Sequence, residues 1–193
     1  MSPTKVNKVT KYPSTGEQTQ LTPLVQKTAK QFSSNKLELI FEILRWINKN
    51  IRHKKLPPEE KDMLFRKRTA HEIIKSKFST GCTDFTITFI ALSRAKHIPT
   101  NYVELLDKNW LRSQEEEKTI RGHTIAEIET GKRKYYVDPT HSNISTKLPS
   151  GMTIYEKGLD SWDIGVFNHN WRKKFLDFKK QKSGVMGIIV HTQ

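Results

Sequence analysis

The spacing of apolar residues changes along the chain, and the changes divide it. Over residues 1–34, Val6, Val9, Tyr12, Leu21, Leu24 and Val25 lie scattered among Lys, Thr, Gln, Ser and Pro. Such a segment offers no face to bury and reads as a polar N-terminal arm, in part disordered, ahead of a domain over 35–193. From Asn35 onward Leu37, Ile40, Phe41, Leu44, Ile47 and Ile51 recur at three- and four-residue steps, the signature of an amphipathic helix. Asn35 or Ser34 can cap it. Pro58-Glu59-Glu60 suits the first turn of a second helix, and Thr69-Ala70-His71-Glu72 has the form of a capping box that opens another. Ser79-Thr80-Gly81 breaks the chain, and a further helical run extends from Cys82 to about Lys96. Phe85, Phe89 and Leu92 form its stripe, widened by Ile90 and Ala91, and Pro99 prevents its continuation.

The period then shortens to two. Asn101 to Leu106 reads as a strand, and Lys108 to Thr119 as a polar loop. Gly122 to Thr130 and Arg133 to Asp138 read as two strands of a hairpin turning at Gly131-Lys132. Phe167, Trp171, Phe175 and Phe178 fall at helical steps and predict a core-facing helix, and Gly187-Ile188-Ile189-Val190 a last short strand. Helices first and an antiparallel sheet after them define an α+β domain.

Composition narrows what such a domain does. No stretch of the chain is long and apolar enough to cross a bilayer, and Met1 to Gln20 hold no apolar signal core, so a cytoplasmic protein with no membrane partner is expected. A single cysteine excludes an internal disulfide and a multi-cysteine metal cluster. A net charge of +14 favours acidic partners. The basic groups Arg52/Lys54/Lys55, Arg66/Lys67/Arg68 and Arg172/Lys173/Lys174 are spread along the chain, which suits a solvated basic surface better than a nucleic-acid face. Nucleic acid remains open as a weaker alternative partner.

Cys82 is where chemistry is expected. A lone cysteine otherwise reads as a small buried hydrophobe. Here Gly81 precedes it and removes bulk beside the sulfur while permitting a tight turn into a helix. At a helix start, free N–H groups and the macrodipole favour thiolate over thiol and can hold an oxyanion. A thiolate nucleophile needs a base, and the base an orienting group. With a two-residue turn at Gly131-Lys132, Asp138 falls opposite Ile125, and so shares a face with His123 as its diagonal neighbour, about 7–8 Å away at the backbone. A three-residue turn without a bulge would put them on opposite faces. Asp84, in the first turn after Cys82, reads as a carboxylate satisfying helix-start N–H groups. His141, three residues after Asp138, offers a spare ligand or base, but a surface turn residue is the reading preferred. His53, His71 and His169 lack ligand spacing, so no metal is expected, and no motif implies a cofactor.

The run Gly81-Cys82-Thr83-Asp84-Phe85 through Ala91-Leu92-Ser93-Arg94-Ala95-Lys96-His97-Ile98-Pro99-Thr100 resembles the cysteine motif of the transglutaminase-like superfamily. His123-Thr124-Ile125-Ala126-Glu127-Ile128 resembles its histidine strand, and Tyr136-Val137-Asp138-Pro139-Thr140 its aspartate motif. Thr69 to Ile74 resembles the family's approach to the cysteine. His97 stands where the family usually has glycine, and Thr124-Ile125 where it commonly has alanine–tryptophan. The resemblance implies a papain-like arrangement, with the cysteine helix packed on a sheet that bears histidine and aspartate. It also implies Cys82, His123 and Asp138 as catalytic triad, acting on a protein or peptide carboxamide or peptide bond through a thioester. Water as acceptor gives hydrolysis and an amine gives transamidation, and both stay open. The alternative is a non-catalytic module of this fold that binds an acidic protein or nucleic acid. Trp46 matches an upstream tryptophan that serves the oxyanion in some members, but its amphipathic helix makes packing the reading kept here.

Overall fold

The computed structural model describes residues 15–33, 35–113, 120–130 and 133–189. A 3₁₀ turn over Glu17–Thr19 leads into α1 (Pro23–Ala29), α2 (Lys36–Asn50), β1 (Arg52–His53), α3 (Pro58–Leu64), α4 (Ala70–Ser76), β2 (Phe78–Ser79) and α5 (Cys82–Ala95). The sheet half follows with β3 (Thr100–Asp107), α6 (Lys108–Arg112), β4 (Gly122–Thr130), β5 (Arg133–Asp138), β6 (Asn143–Ser145) and β7 (Met152–Gly158), and α7 (Trp171–Ile189) closes the chain. Five strands pair antiparallel in the order β6-β5-β4-β3-β7, while β1 and β2 form a separate parallel pair. This is the α+β architecture read from the sequence, with the cysteine-bearing helix packed on an antiparallel sheet. Among the described residues no helix is long and apolar enough to cross a membrane.

α5 lies at the centre. Every residue from Thr83 to Arg94 is buried, with α1, α2 and α4 against some faces and β3 and β4 against others. Burying Ile87, Phe89, Ile90 and Leu92 completely contributes about 1.5–3 kcal/mol per side chain. A helix enclosed on all sides must also satisfy its polar side chains. Thr86 Oγ1 donates to Thr124 O at 3.0 Å, Thr88 Oγ1 to Asp84 O at 2.9 Å, and Arg94 reaches Thr100 O and Thr19 Oγ1, both at 2.7 Å. The helix ends at His97, which adopts φ 61°, with Ile98 N donating to Ser93 O at 3.0 Å and His97 N to Arg94 O at 2.9 Å. Those two bonds make a Schellman cap around a left-handed residue, the position that glycine normally fills.

Five expectations change on the structure. Residues 15–33, assigned above to an arm, contribute Val25, Ala29 and Phe32 to the same core as α5. Those apolar residues span barely two turns among Thr, Gln and Lys, too few for a period to stand out; residues 1–14 lie outside the described residues. Phe41 is exposed rather than part of the α2 stripe, which runs through Leu39, Ile40, Ile43, Leu44 and Ile47. The segment after Lys108 is not all loop: Asp107 Oδ1 accepts from Trp110 N at 2.7 Å, starting a turn that buries Trp110 and Leu111 beside Val166 and Phe175. Gly187 to Ile189 continue α7 rather than forming a strand, a short apolar run being compatible with either; Val190 lies outside the described residues. Phe167 precedes α7, its N–H held by Asn170 Oδ1 at 2.8 Å, and Phe175 alone of the aromatic stripe is fully buried.

Candidate active site

Cys82 opens α5 and is half-buried. No side chain caps the helix start, because the N-cap residue is Gly81. Gly81 has φ 166°, an extended backbone open to any residue, so the tight turn expected of it is absent. A Cβ there would meet nothing within 4 Å, so what surrounds Gly81 is open space beside the cysteine. The turn before the helix is fixed from inside. The buried Asp84 carboxylate accepts from Thr80 N at 2.7 Å and Thr80 Oγ1 at 2.8 Å, and pairs with the buried Arg68 guanidinium. Asp84 therefore anchors the residues leading to Cys82 instead of capping α5 with its own side chain.

On the sheet, β4 and β5 pair Ala126 with Val137 and Glu127 with Tyr136, the register of a two-residue turn. The turn itself, Gly131-Lys132, lies outside the described residues. His123 and Asp138 consequently share a face, and His123 Nε2–H donates to Asp138 Oδ2 at 2.8 Å. Asp138 is held from three further directions: Thr140 N at 3.0 Å and His141 N at 3.3 Å on Oδ1, and His141 Nδ1–H at 2.9 Å on Oδ2. With Nε2 engaged by Asp138, the imidazole's other nitrogen is the one left for its hydrogen bond with Cys82. Thr124, at the position where alanine is common, lies 3.1 Å from Thr86 Oγ1 and close enough to Cys82 to act on its thiol.

The charges follow from these contacts. Burial pushes the Cys82 thiol up, but the hydrogen bond and charge of His123 and the bond from Thr124 outweigh it, and the thiol ends below its ordinary value. Burial lowers His123, yet Asp138 and Cys82 raise it to about 10. Burial likewise raises Asp138, and His123 and His141 bring it down to about 2. The arrangement favours a thiolate–imidazolium pair oriented by an ionised carboxylate.

A second polar set lies close by, on residues that sequence reasoning gave to the solvated surface or to an ordinary strand. Arg66 forks onto Glu104 at 2.8 and 2.9 Å, and Tyr102 O–H donates to Glu104 Oε2 at 2.7 Å, all three buried. Glu104 pairs across strands with Thr124, so its charge opposes the Cys82 thiolate while Arg66 balances it. Arg66 and Arg68 thus leave the basic surface for the interior. The signal in the sequence was Glu104 itself, a carboxylate inside the apolar strand Tyr102 to Leu106.

The remaining candidates disperse. Trp46 packs edge-on against Phe32, ring centroids 6.3 Å apart. His53 is exposed on β1, His71 lies 3.1 Å from Thr22 Oγ1, and His169 stacks on Phe167. Beside Asp138, a cleft of about 210 Å³ opens between Ile125, Tyr136, Asn143, Lys147 and Leu148. Among the described residues, His123, Asp138 and His141 form a group whose ligand atoms all lie within 4.8 Å of one another, close enough to hold a metal ion.

Comparison with known proteins agrees with this fold. The model of the transglutaminase-like superfamily matches residues 24–139. Among solved structures the chain is similar to that of "a Putative Cysteine Protease from Cytophaga hutchinsonii", with a TM-score of 0.57 and 22% identity over 81% of this chain. The chain spans about half the length of that protein, 48%. No curated protein matches the chain. A family match over more than half of the sequence, on a fold of helices and antiparallel sheet that brings Cys82, His123 and Asp138 together, establishes that this chain belongs to the transglutaminase-like superfamily.

Proposed function

We propose that the protein is a cysteine-nucleophile enzyme acting on amide bonds of a protein or peptide, with Cys82, His123 and Asp138 as its triad. The observation that carries this reading is the position of His123, hydrogen-bonded to Asp138 on one side and close enough to Cys82 on the other for the two groups to shift each other's charge. The Cys82 thiolate adds to the amide carbonyl, and uncapped N–H groups at the start of α5 receive the oxyanion. His123 gives its proton to the leaving nitrogen as the C–N bond breaks, which leaves an acyl thioester on Cys82. The acceptor, water or an amine, then passes its proton to His123 as it attacks the thioester, and the sulfur departs as thiolate. Asp138 holds the ring in the tautomer and orientation both steps require. Similarity to a protein named as a cysteine protease favours a peptide bond and water as acceptor, and the cleft beside Asp138 has room for a substrate side chain.

The test is turnover of a peptide and carboxamide library by wild type and Cys82→Ala. Wild-type turnover that Cys82→Ala abolishes, with a melting temperature within about 3 °C of wild type, supports the reading. A large loss of stability with no lost activity sinks it and returns Cys82 to the status of a packed hydrophobe. One observation favours a second reading, binding of an acidic partner. With a net charge of +14, a cavity lined by Lys49, Asn50, Arg52 and Lys77 contains no acidic residue. Salt-sensitive capture of an acidic peptide by Cys82→Ala protein would support it.

A further inference from the structure

We infer that His123, Asp138 and His141 form a binding site for a divalent transition-metal ion, Zn²⁺ in the first place, which holds the Cys82 site in an inactive arrangement. His123 Nε2 and His141 Nδ1 converge on the same carboxylate oxygen, Asp138 Oδ2, at 2.8 and 2.9 Å. All three ligand atoms lie within 4.8 Å of one another. Tetrahedral ligands of Zn²⁺, each about 2.0–2.2 Å from the ion, stand about 3.3 Å apart. To admit the ion, the two nitrogens draw back from Oδ2 by about half an ångström and, from a separation of up to 4.8 Å, close toward each other by as much as about 1.5 Å. Two imidazoles and a carboxylate suit Zn²⁺ and related metals, and do not suit Mg²⁺ or Ca²⁺, which take oxygen shells.

The surroundings favour the site. Thr140 N and His141 N both donate to Asp138 Oδ1, at 3.0 and 3.3 Å, which fixes the carboxylate and leaves Oδ2 for the ion. The His141 side chain is 70% exposed, so the ion has an open approach from solvent. His141 comes from the turn three residues after Asp138 and His123 from the neighbouring strand, so the sequence shows the Asp138–His141 spacing and the sheet register adds His123.

Cys82 is not a ligand in this arrangement. His123 Nε2 faces Asp138, which leaves the other ring nitrogen on the side of Cys82, and water completes the coordination. On binding, the proton on His123 Nε2 is released to water, and His141 binds in the tautomer that carries its proton on Nε2 and its lone pair on Nδ1. The ion also takes Asp138 out of its contact with the His123 N–H. The ion competes with the orientation proposed above for catalysis, yet the site stands whether or not Cys82 is a nucleophile.

Calorimetric titration of Zn²⁺ into Cys82→Ala protein tests it without reference to activity. One ion per chain is expected, with His141→Ala added to the same background weakening the affinity at least about tenfold. Absence of binding to Cys82→Ala, which would make the thiol the ligand, overturns the inference, and so does an affinity indifferent to His141. In wild type, Zn²⁺ should slow alkylation of Cys82, and His141→Ala should need at least about tenfold more Zn²⁺ for the same slowing; equal sensitivity of the two proteins again overturns it. Slow alkylation of wild type in the absence of metal would count against the catalytic reading alone, since the Cys82→Ala titration decides the metal site separately.

Discussion

The imidazole of His123 and the carboxylate of Asp138 meet at 2.8 Å although fifteen residues separate them along the chain. The register of β4 and β5 makes the contact: Ala126 faces Val137, so Asp138 falls diagonally across from His123 on the same side. A slip of one residue would send the two side chains to opposite faces. The reactivity proposed for Cys82 depends on that pairing.

Alkylation of Cys82 should therefore respond to His123. With the thiol held below its ordinary value, the rate of reaction with iodoacetamide should reach half its maximum below the free-cysteine value of about 8.5. In His123→Ala the burial of the sulfur is left with less opposition, and the midpoint should rise to about 8.5 or above. An unchanged midpoint in the variant would remove His123 from the account.

The same pair shapes stability against pH. His123, raised to about 10 from 6.5, stabilises the fold fully below pH 6.5 and loses that contribution as pH rises through about 10. Cys82, lowered from 9.0, contributes above pH 9.0 and loses its contribution as pH falls through its depressed value. Above pH 9.0 the unfolded pair has lost both protons while folded His123 keeps one, so the pair's contribution falls from pH 9.0 toward about 10. Urea midpoints of wild type minus those of the Cys82→Ala/His123→Ala double variant should trace that fall. A difference that stays level from pH 9.0 to about 10 contradicts the ion pair.

Asp84→Ala should destabilise the protein by about 3–5 kcal/mol, since it leaves the buried Arg68 charge without its partner. Arg68→Met combined with Asp84→Leu should recover much of that loss while leaving Thr80 N without its acceptor. Cys82 alkylation in the recovered double variant should still differ from wild type, because Asp84 anchors the turn that presents the sulfur. Wild-type kinetics in the double variant would show that this anchoring has no role at the site.

His97→Gly should raise stability by about 0.5–1 kcal/mol, since the cap position has φ 61° and only glycine adopts it without strain. Equilibrium urea unfolding measures it. A loss of stability would mean that the contacts of the His97 side chain outweigh its backbone strain.

Local rules made the cysteine helix and the hairpin legible. Thr69 and Glu72 form the reciprocal cap that their spacing implies, with Thr69 N donating to Glu72 Oε2 at 2.8 Å and Glu72 N to Thr69 Oγ1 at 3.3 Å. The strands Gly122–Thr130 and Arg133–Asp138 carry their own boundaries in their alternation. What stayed hidden depends on partners distant in sequence. Arg66 and Arg68 look like surface charges until the fold sets them against Glu104 and Asp84 and removes water from around them. β6 and β7 are too short or too evenly half-buried to show a period, with β7 exposing some part of every residue from Met152 to Gly158. His141 joins the site only because the turn after β5 folds its ring back onto Asp138.

β7 carries a consequence for any attempt to excise the part of the chain that matches the family, residues 24–139. β3 is paired on both sides, with β4 along one edge and β7 along the other from Tyr102 to Asp107. Cutting away β7 would bare a row of unsatisfied N–H and C=O groups on a strand with almost wholly buried side chains. That is a template for another copy to add to. Cutting after Gln18 does comparable damage, because its amide ties Arg68 O at 3.0 Å to Ser161 Oγ at 2.9 Å, joining the two ends of the fold. The excised segment should therefore self-associate at micromolar concentration instead of standing alone as a monomer.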